Sequence, residues 1–263
     1  MRLPKFLARM ATDFFSYGPV FLFLGILSKF NYFRLLKIKI SGIGFVYFRC
    51  CSSDFGVIRD VLKNKCYSFP PFLFFFIQKK YERILSCCSV PLIVDAGANI
   101  GTSALFLNKI FPEAHILAFE PDKSNFDVAE LNICSRNNIF LFNKAVGGSD
   151  GFVNIFPEKN SVAITTSRSN SGISVSTIDS AIKDYPKGEL FLAKIDIEGF
   201  ENDLFSNNLG WLDQVACVIL EPHDWRFPAT GTSATFQKAF GDRNFGLFIF
   251  GENLLYVRRD LFY

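Results

Sequence analysis

A chain of 263 residues, 49% of them apolar and 20% charged, is long enough for one substantial core and excludes a disordered polymer. The formal net charge is only +3, but it is unevenly placed: residues 1–90 hold 14 Lys and Arg against 4 Asp and Glu, and residues 91–263 hold 14 against 21. Seven cysteines, an odd number with no CxxC pair, and two histidines exclude a zinc ribbon and argue for a reducing compartment.

The charge break divides the chain into a basic, Phe-rich extension, 1–90, and a mildly acidic body, 91–263. In the extension, Leu3, Phe6, Leu7, Met10 and Phe14 share one face of a helix whose other side carries Arg2, Lys5 and Arg9. Such a face docks on an anionic surface or on the protein itself, and both readings stay open. The run Val20 to Leu27 falls short of the ~20 apolar residues that a spanning helix needs. No small-x-small cleavage site follows it, so secretion is not expected. The expected location is cytoplasmic, with peripheral membrane contact through residues 1–30 as the alternative. Lys37 to Phe48 reads as a hairpin around Ser41-Gly42, and Phe72 to Leu85 as a helix after Pro70-Pro71.

From Pro91 onward, short apolar runs alternate with amphipathic stretches, the rhythm of parallel strands joined by helices. Leu92 to Asp95 is the first strand, and Thr102 to Phe111 a helix stopped by Pro112. His115 to Glu120 is the second strand, followed by a helix with a capping-box-like start at Ser124. Ile139 to Phe142 is the third, Phe152 to Phe156 an extra strand, and polar Ser161 to Ser171 a mobile loop. A helix from about Thr177 precedes the fourth strand, Leu190 to Asp196, and Gly199 to Phe205 opens another helix. Val215 to Glu221 is the fifth strand. Leu247 to Phe250 and Leu254 to Arg258 flank Gly251-Glu252-Asn253, so the mostly parallel, doubly wound α/β sheet ends in an antiparallel hairpin.

Ligands of such sheets bind beyond the carboxyl ends of the strands. Acids cluster there: Asp95, Glu120, Asp196 with Glu198, and Glu221. The turn after the first strand reads DAGANIG, with Asn99 where a dinucleotide site has its second glycine and no third glycine at the expected offset. Asp95 would repel a pyrophosphate but welcome an ammonium, and a carboxylate at Glu120 accepts from ribose hydroxyls. A nucleoside bearing a cationic amino-acid tail fits both.

VDAGANIG (94–101), AFEPD (118–122), the Asn-x-Ala-Val step at 143–146, the Ser-Thr-Ile-Asp stretch at 176–179, KIDIEGFE (194–201) and Glu221-Pro222-His223 resemble, in that order, the FkbM family of methyltransferases. The resemblance runs from Leu92 to about Arg258 and leaves residues 1–90 unmatched. It implies a Rossmann-like class I methyltransferase fold and S-adenosylmethionine as cofactor. Asp95, Gly97, Asn99 and Gly101 would line the methionine side, Glu120 would hold the ribose, and Asn143 and Ala145 would lie near the adenine unless they only shape a loop. Asp196 and Glu198, two apart in an extended stretch, would face the cleft together. One of them, or His223, would take the proton of a hydroxyl acceptor, and Asp196 would also touch the cofactor.

The family's acceptors are hydroxyls of sugars or other small molecules, and no nucleic acid is expected. Trp225 and Phe227 could stack on a sugar ring, in a pocket built from 156–175 and 223–240. Asp196, Glu198 and Glu221 have the chemistry of an oxygen-rich cation site, yet their spacing demands none, and no metal is expected. His115, at the start of a strand, reads as surface. Two other functions remain compatible with these motifs: a non-catalytic cofactor-binding module, and a nicotinamide-dependent oxidoreductase, which the missing glycine and Asp95 disfavour.

Overall fold

The computed structural model describes residues 12, 14–30, 34–157, 164–226 and 231–263, and the chain falls into two compact units, Met1–Lys65 and Cys66–Tyr263. In the first, helix α1 (Pro19–Leu27) precedes an antiparallel hairpin of β1 (Leu35–Ile40) and β2 (Gly44–Arg49), then α2 (Asp54–Ile58), which widens into a π-turn at Arg59–Lys63. Its phenylalanines form a small ring-packed core, with Phe55 centred 4.6 Å from Phe21 and 5.3 Å from Phe48. Asp54 is buried and pairs with Arg49 at 2.8 Å. Leu3, Phe6, Leu7 and Met10 lie outside the described residues, and Phe14 is exposed. Among the described residues no helix is long and apolar enough to cross a membrane.

The second unit begins before residue 90, the position of the charge break, because helix α3 (Pro71–Ser86) belongs to it. Its apolar side chains recur at helical spacing, Leu73, Ile77, Tyr81 and Ile84, and all four are buried. Tyr81 packs its ring 5.2 Å from Phe111 and 5.7 Å from Phe191. The helix is a layer of the large sheet's packing, a role that charge composition cannot reveal.

That sheet has seven strands: β3 (Val90–Ala96), β4 (His115–Phe119), β5 (Ile139–Phe142), β10 (Gly188–Ile195), β11 (Cys217–Leu220), β12 (Phe245–Phe250) and β13 (Asn253–Arg258). They lie in the order β5-β4-β3-β10-β11-β13-β12. Only β13 runs against its neighbours, inserted between β11 and β12. This is the expected Rossmann-like class I arrangement. Strand β3 shows no apolar/polar alternation because both its faces are covered, so six of its seven residues are buried and it reads as a continuous apolar run. Strand order reverses between β3 and β10, which makes their carboxyl ends the place for a ligand.

Helices α4 (Thr102–Ile110) and α5 (Lys123–Ile133) follow β3 and β4. The cap of α5 is Asp122, accepting from the Asn125 amide at 2.8 Å, and Ser124 sits within the helix, donating to Asp122. A smaller sheet holds β6 (Ala145–Val146), β7 (Gly151–Pro157), β8 (Ile164–Ser169) and β9 (Ile173–Ser176), in the order β6-β9-β7-β8. The polar stretch 161–171 is therefore a strand over Ile164–Ser169 and a bend at Asn170 and Ser171. Residues 158–163 lie outside the described residues, and Ile164–Ser169 pairs with β7 along its length, which satisfies its backbone. Helix α6 (Ile178–Lys183), capped by Thr177, leads into β10, and short α7 (Glu201–Leu204) follows it. Helix α8 (Thr232–Gly241) precedes β12.

Burying a Leu or Ile side chain is worth roughly 1.5–3 kcal/mol, so the three aliphatic residues of α3 alone approach the whole net stability of a domain. A fragment 66–263 is expected to unfold cooperatively on heating, and a fragment 91–263 to show no cooperative transition. Equal melting of the two by circular dichroism would place the boundary at residue 90 instead.

Candidate functional site

At the end of β3 the chain turns through three left-handed residues, Gly97 (φ 80°), Asn99 (φ 52°) and Gly101 (φ 81°). Asparagine tolerates that conformation better than other non-glycine residues, so Asn99 is compatible with the turn. Gly97 is needed for space, since a Cβ there would sit 1.8 Å from the Asp196 carbonyl oxygen. All five backbone N–H groups from 97 to 101 donate within the protein: Gly97 and Ala98 to the Phe119 carbonyl, Asn99 to Glu120, Ile100 to the Asn99 side chain, and Gly101 to the Ala98 carbonyl. None is left over to cradle a pyrophosphate.

Glu120, just beyond β4, is 4% exposed. Its Oε2 accepts from the Asn99 amide at 2.8 Å and its Oε1 from the Asp122 amide at 2.9 Å. Burial outweighs these hydrogen bonds and pushes its carboxyl up to about 7. Oε1 also accepts from the Asn125 side-chain amide at 3.4 Å, so Oε2 is the oxygen that retains a lone pair for a ligand hydroxyl.

Between β3 and β10 lies Lys194, 1% exposed. Its ammonium donates to the Gly97 carbonyl at 2.6 Å and the Ala96 carbonyl at 3.3 Å, and stands 3.3 Å from Asp95 Oδ1 and 3.6 Å from Asp196 Oδ2. Burial opposes its charge, but Asp95 and then Asp196 outweigh burial and raise its pKa. Asp95 is fully buried, with Oδ2 taken by the Ser103 hydroxyl at 2.6 Å, while Oδ1 accepts no directed hydrogen bond.

Beyond β10 the backbone leaves the strand: Glu198 has φ 53° and Gly199 φ 97°. Asp196 and Glu198 reach the same cavity through this turn, not by strand alternation, because β10 ends at Ile195. The Tyr67 hydroxyl donates to Asp196 Oδ2 at 2.9 Å, and burial, then Asp196, raises the Tyr67 pKa well above its usual range. Arg226 donates to Glu198 at 2.6 Å, and burial followed by Asp196 raises the Glu198 pKa. His223, 2% exposed, donates from Nδ1 to Glu201 at 2.7 Å and places Nε2 3.6 Å from both Asp196 and Glu198. Burial disfavours its charge, yet Glu201, Asp196 and Glu198 outweigh it and raise its pKa. Glu221, at the end of β11, is pushed up by burial and by Asp196.

Beside these groups lies a cavity that is partly open to solvent. Gly97, Asn99, Glu120, Ala145, Asp196 and Glu198 line it. Four other expected residues do not. Asp95 lies behind the turn with Lys194, so it meets a lysine rather than a ligand's ammonium. Gly101 packs against α5, where its missing side chain admits Ile133 and Ala129. Asn143 donates to the backbone carbonyls of Glu120 and Pro121, which fixes the lining from outside. His223 stands behind Asp196 and Glu198. His115 is half-buried at the far end of β4, against Phe140 and Tyr185. Trp225 is exposed, and Phe227 lies outside the described residues.

Asn125, Phe200, Lys194, Tyr67 and Glu201 were not singled out as site residues by sequence. Lys194 carried one signal, a lone charge inside the apolar run LFLAKI. Tyr67 carried none, being 129 residues from its partner Asp196.

Residues 95–243 match the model of the family described as the methyltransferase FkbM domain. The chain is similar to "Methyltransferase sdnD" of Sordaria araneosa, 51% identical over 45 residues, and to "Methyltransferase 1" of Beauveria bassiana (strain ARSEF 2860), 30% identical over 79. Those matches cover 17% and 30% of this chain and span only 17% and 26% of the relatives' own lengths. Among solved structures it is similar to a putative O-methyltransferase from Klebsiella pneumoniae (12% identity, TM-score 0.42, covering 77% of this chain and 90% of that one). A precorrin-6y C5,15-methyltransferase from Geobacter metallireducens GS-15 is similar at 11% identity and TM-score 0.37, covering 68% and 86%.

Removing one member of a buried ion pair typically costs about 3–5 kcal/mol, because the other charge is left uncompensated. Lys194→Met is expected to destabilise the chain by about that much in urea unfolding, and Asp95→Asn in the same background to recover part of the loss. A Lys194→Met variant as stable as the parent would show that the pair is dispensable.

Proposed function

The chain belongs to the FkbM methyltransferase family, and on that premise we propose that it is an S-adenosylmethionine-dependent O-methyltransferase acting on a hydroxyl of a sugar or another small natural product. The observation that carries this reading is one cavity with Glu120 on one side of Gly97 and the Asp196–Glu198 carboxylates on the other. The residues present fit the cofactor. Gly97 lines the cavity without a side chain, so its backbone can pass close to a ligand, and buried Glu120 offers an acceptor lone pair on Oε2 to a ribose hydroxyl. The carboxylates suit a cationic ligand, and the fully engaged turn amides tell against the pyrophosphate of a nicotinamide dinucleotide.

Bound here, S-adenosylmethionine supplies a methyl group carried on a positively charged sulfur. Glu120 holds the ribose, with Asn125, Pro121, Ala145 and Val146 beside it in the lining. Asp196 and Glu198 are the cavity-facing groups that position an acceptor hydroxyl and take its proton. As the acceptor oxygen gains the methyl it loses that proton, and Arg226 and His223 keep the two carboxylates in place. Trp225, exposed just after His223 in the chain, offers an aromatic face to a sugar ring.

The direct test is transfer of a labelled methyl group from S-adenosylmethionine into hydroxylated acceptors, with calorimetric comparison of that cofactor and NAD. Binding of NAD alone would refute the reading. A pH dependence follows from Glu120. Its carboxyl titrates near 7 without ligand, and ribose hydroxyls donate to the ionised form, so cofactor affinity rises as pH rises through 7 and falls below it. The slope is at most tenfold per pH unit. Glu120→Gln is expected to bind more weakly with a flat profile from pH 6 to 8, and an unchanged profile would remove Glu120 from the site.

A further inference from the structure

The carboxylates behind the cavity are more numerous than the cations that face them. Lys194, Arg226 and protonated His223 stand against Asp95, Asp196, Glu198, Glu201 and Glu221. Among the described residues Glu221 has neither a hydrogen bond nor an ion pair to its carboxylate. His223 turns its Nε2 toward Asp196 and Glu198 without a hydrogen bond to either. The fully buried Glu201 fixes its Nδ1, and its Nε2 meets Asp196 and Glu198 at 3.6 Å, too long for a hydrogen bond. A carboxylate that holds one imidazole nitrogen so that the other faces outward is the usual support of a metal-binding histidine.

We propose that Asp196, Glu221 and His223 hold a divalent cation at the back of the cavity, and that its open positions bind a hydroxyl of the acceptor. The second part rests on the methyltransferase reading; the first does not. One donor atom from each residue lies within 4.8 Å of the others. Six-coordinate ions with bonds of about 2.1 Å place their ligands about 3 Å apart when adjacent and about 4.2 Å apart when opposite, so the three donors need move by little more than side-chain adjustment. Two carboxylate oxygens with one imidazole suit Mn²⁺ or Fe²⁺ better than Ca²⁺, which favours oxygen alone. Three protein ligands leave positions where an acceptor hydroxyl would be polarised and its proton made easier to remove. The proton then passes to Glu198, and the cation changes neither its charge nor its ligand count on the protein side.

The test is titration of Mn²⁺ into the metal-free full-length chain, with free Mn²⁺ followed by electron paramagnetic resonance. One site per chain is expected, at least tenfold weaker in Glu221→Gln and His223→Gln and unchanged in His115→Gln. S-adenosylmethionine calorimetry on the same variants reports whether they fold. The parent chain offers a second measurement, because it has only two histidines. Bound Mn²⁺ should broaden the ring resonances of His223 and spare those of His115. Absence of Mn²⁺ binding by the parent, or equal broadening of both rings, overturns the site. Cofactor binding without Mn²⁺ binding removes the cation alone, whereas Mn²⁺ binding without cofactor binding removes the methyltransferase reading and leaves the cation site standing.

Discussion

A lysine ammonium buried between two parallel strands joins every part of this site. Lys194 sits on β10 and donates to the last carbonyls of β3, so the two strand ends at the switch point are tied to one another. Its charge is tolerated because Asp95 stands 3.3 Å away on β3 and Asp196 3.6 Å away just beyond the end of β10. In a parallel sheet with both faces covered, no water is present to solvate an unpaired charge, and the pairing is obligatory. The tie also explains Gly97. Strands held this close leave 1.8 Å for a Cβ, so a hydrogen is the only side chain that fits.

Around this tie the backbone holds conformations that most residues avoid. Asn99 and Glu198 both lie at positive φ, one after each of the two strands that flank the switch point. Such residues cost on the order of 1–3 kcal/mol unless their surroundings fix them, and they gather at functional sites. At Asn99 the cost is offset locally, because its side chain accepts from the next amide and its own amide is taken by Glu120. At Glu198 the left-handed turn aims a carboxylate into the cavity and toward Arg226. The small sheet supplies the remaining wall: Ala145 and Val146 line the cavity beside Phe200, and Val153 and Val175 pack with Ala145 and Phe200 in a cluster of their own.

Much of the architecture was legible because each strand of the large sheet is a short apolar run and each helix carries a periodic face. The acids at strand ends were legible for a related reason: a charge that follows a buried run marks where the chain leaves the core. Less legible was the segment 161–171. Its strand, Ile164–Ser169, takes its character from hairpin pairing with the preceding β7 rather than from its own polar composition. The boundary between the two units was also hidden. A cationic helix surface and a buried helix face coexist in α3, and only the second decides which unit it joins.

The sequence by itself determined the family, the order of the five parallel core strands and the closing hairpin, and which acids stand at strand ends, because periodicity and local motifs are properties of neighbouring residues. Only the tertiary structure decided what each acid faces. DAGANIG alone could not show that Asp95 turns inward to a lysine ninety-nine positions later while Glu120 turns toward the cavity. Nor could it show that Tyr67, Glu201 and His223 converge on the end of β10. The reason is physical: a side chain's charge state and direction are set by desolvation and by partners that folding brings together, and those partners are distant along the chain.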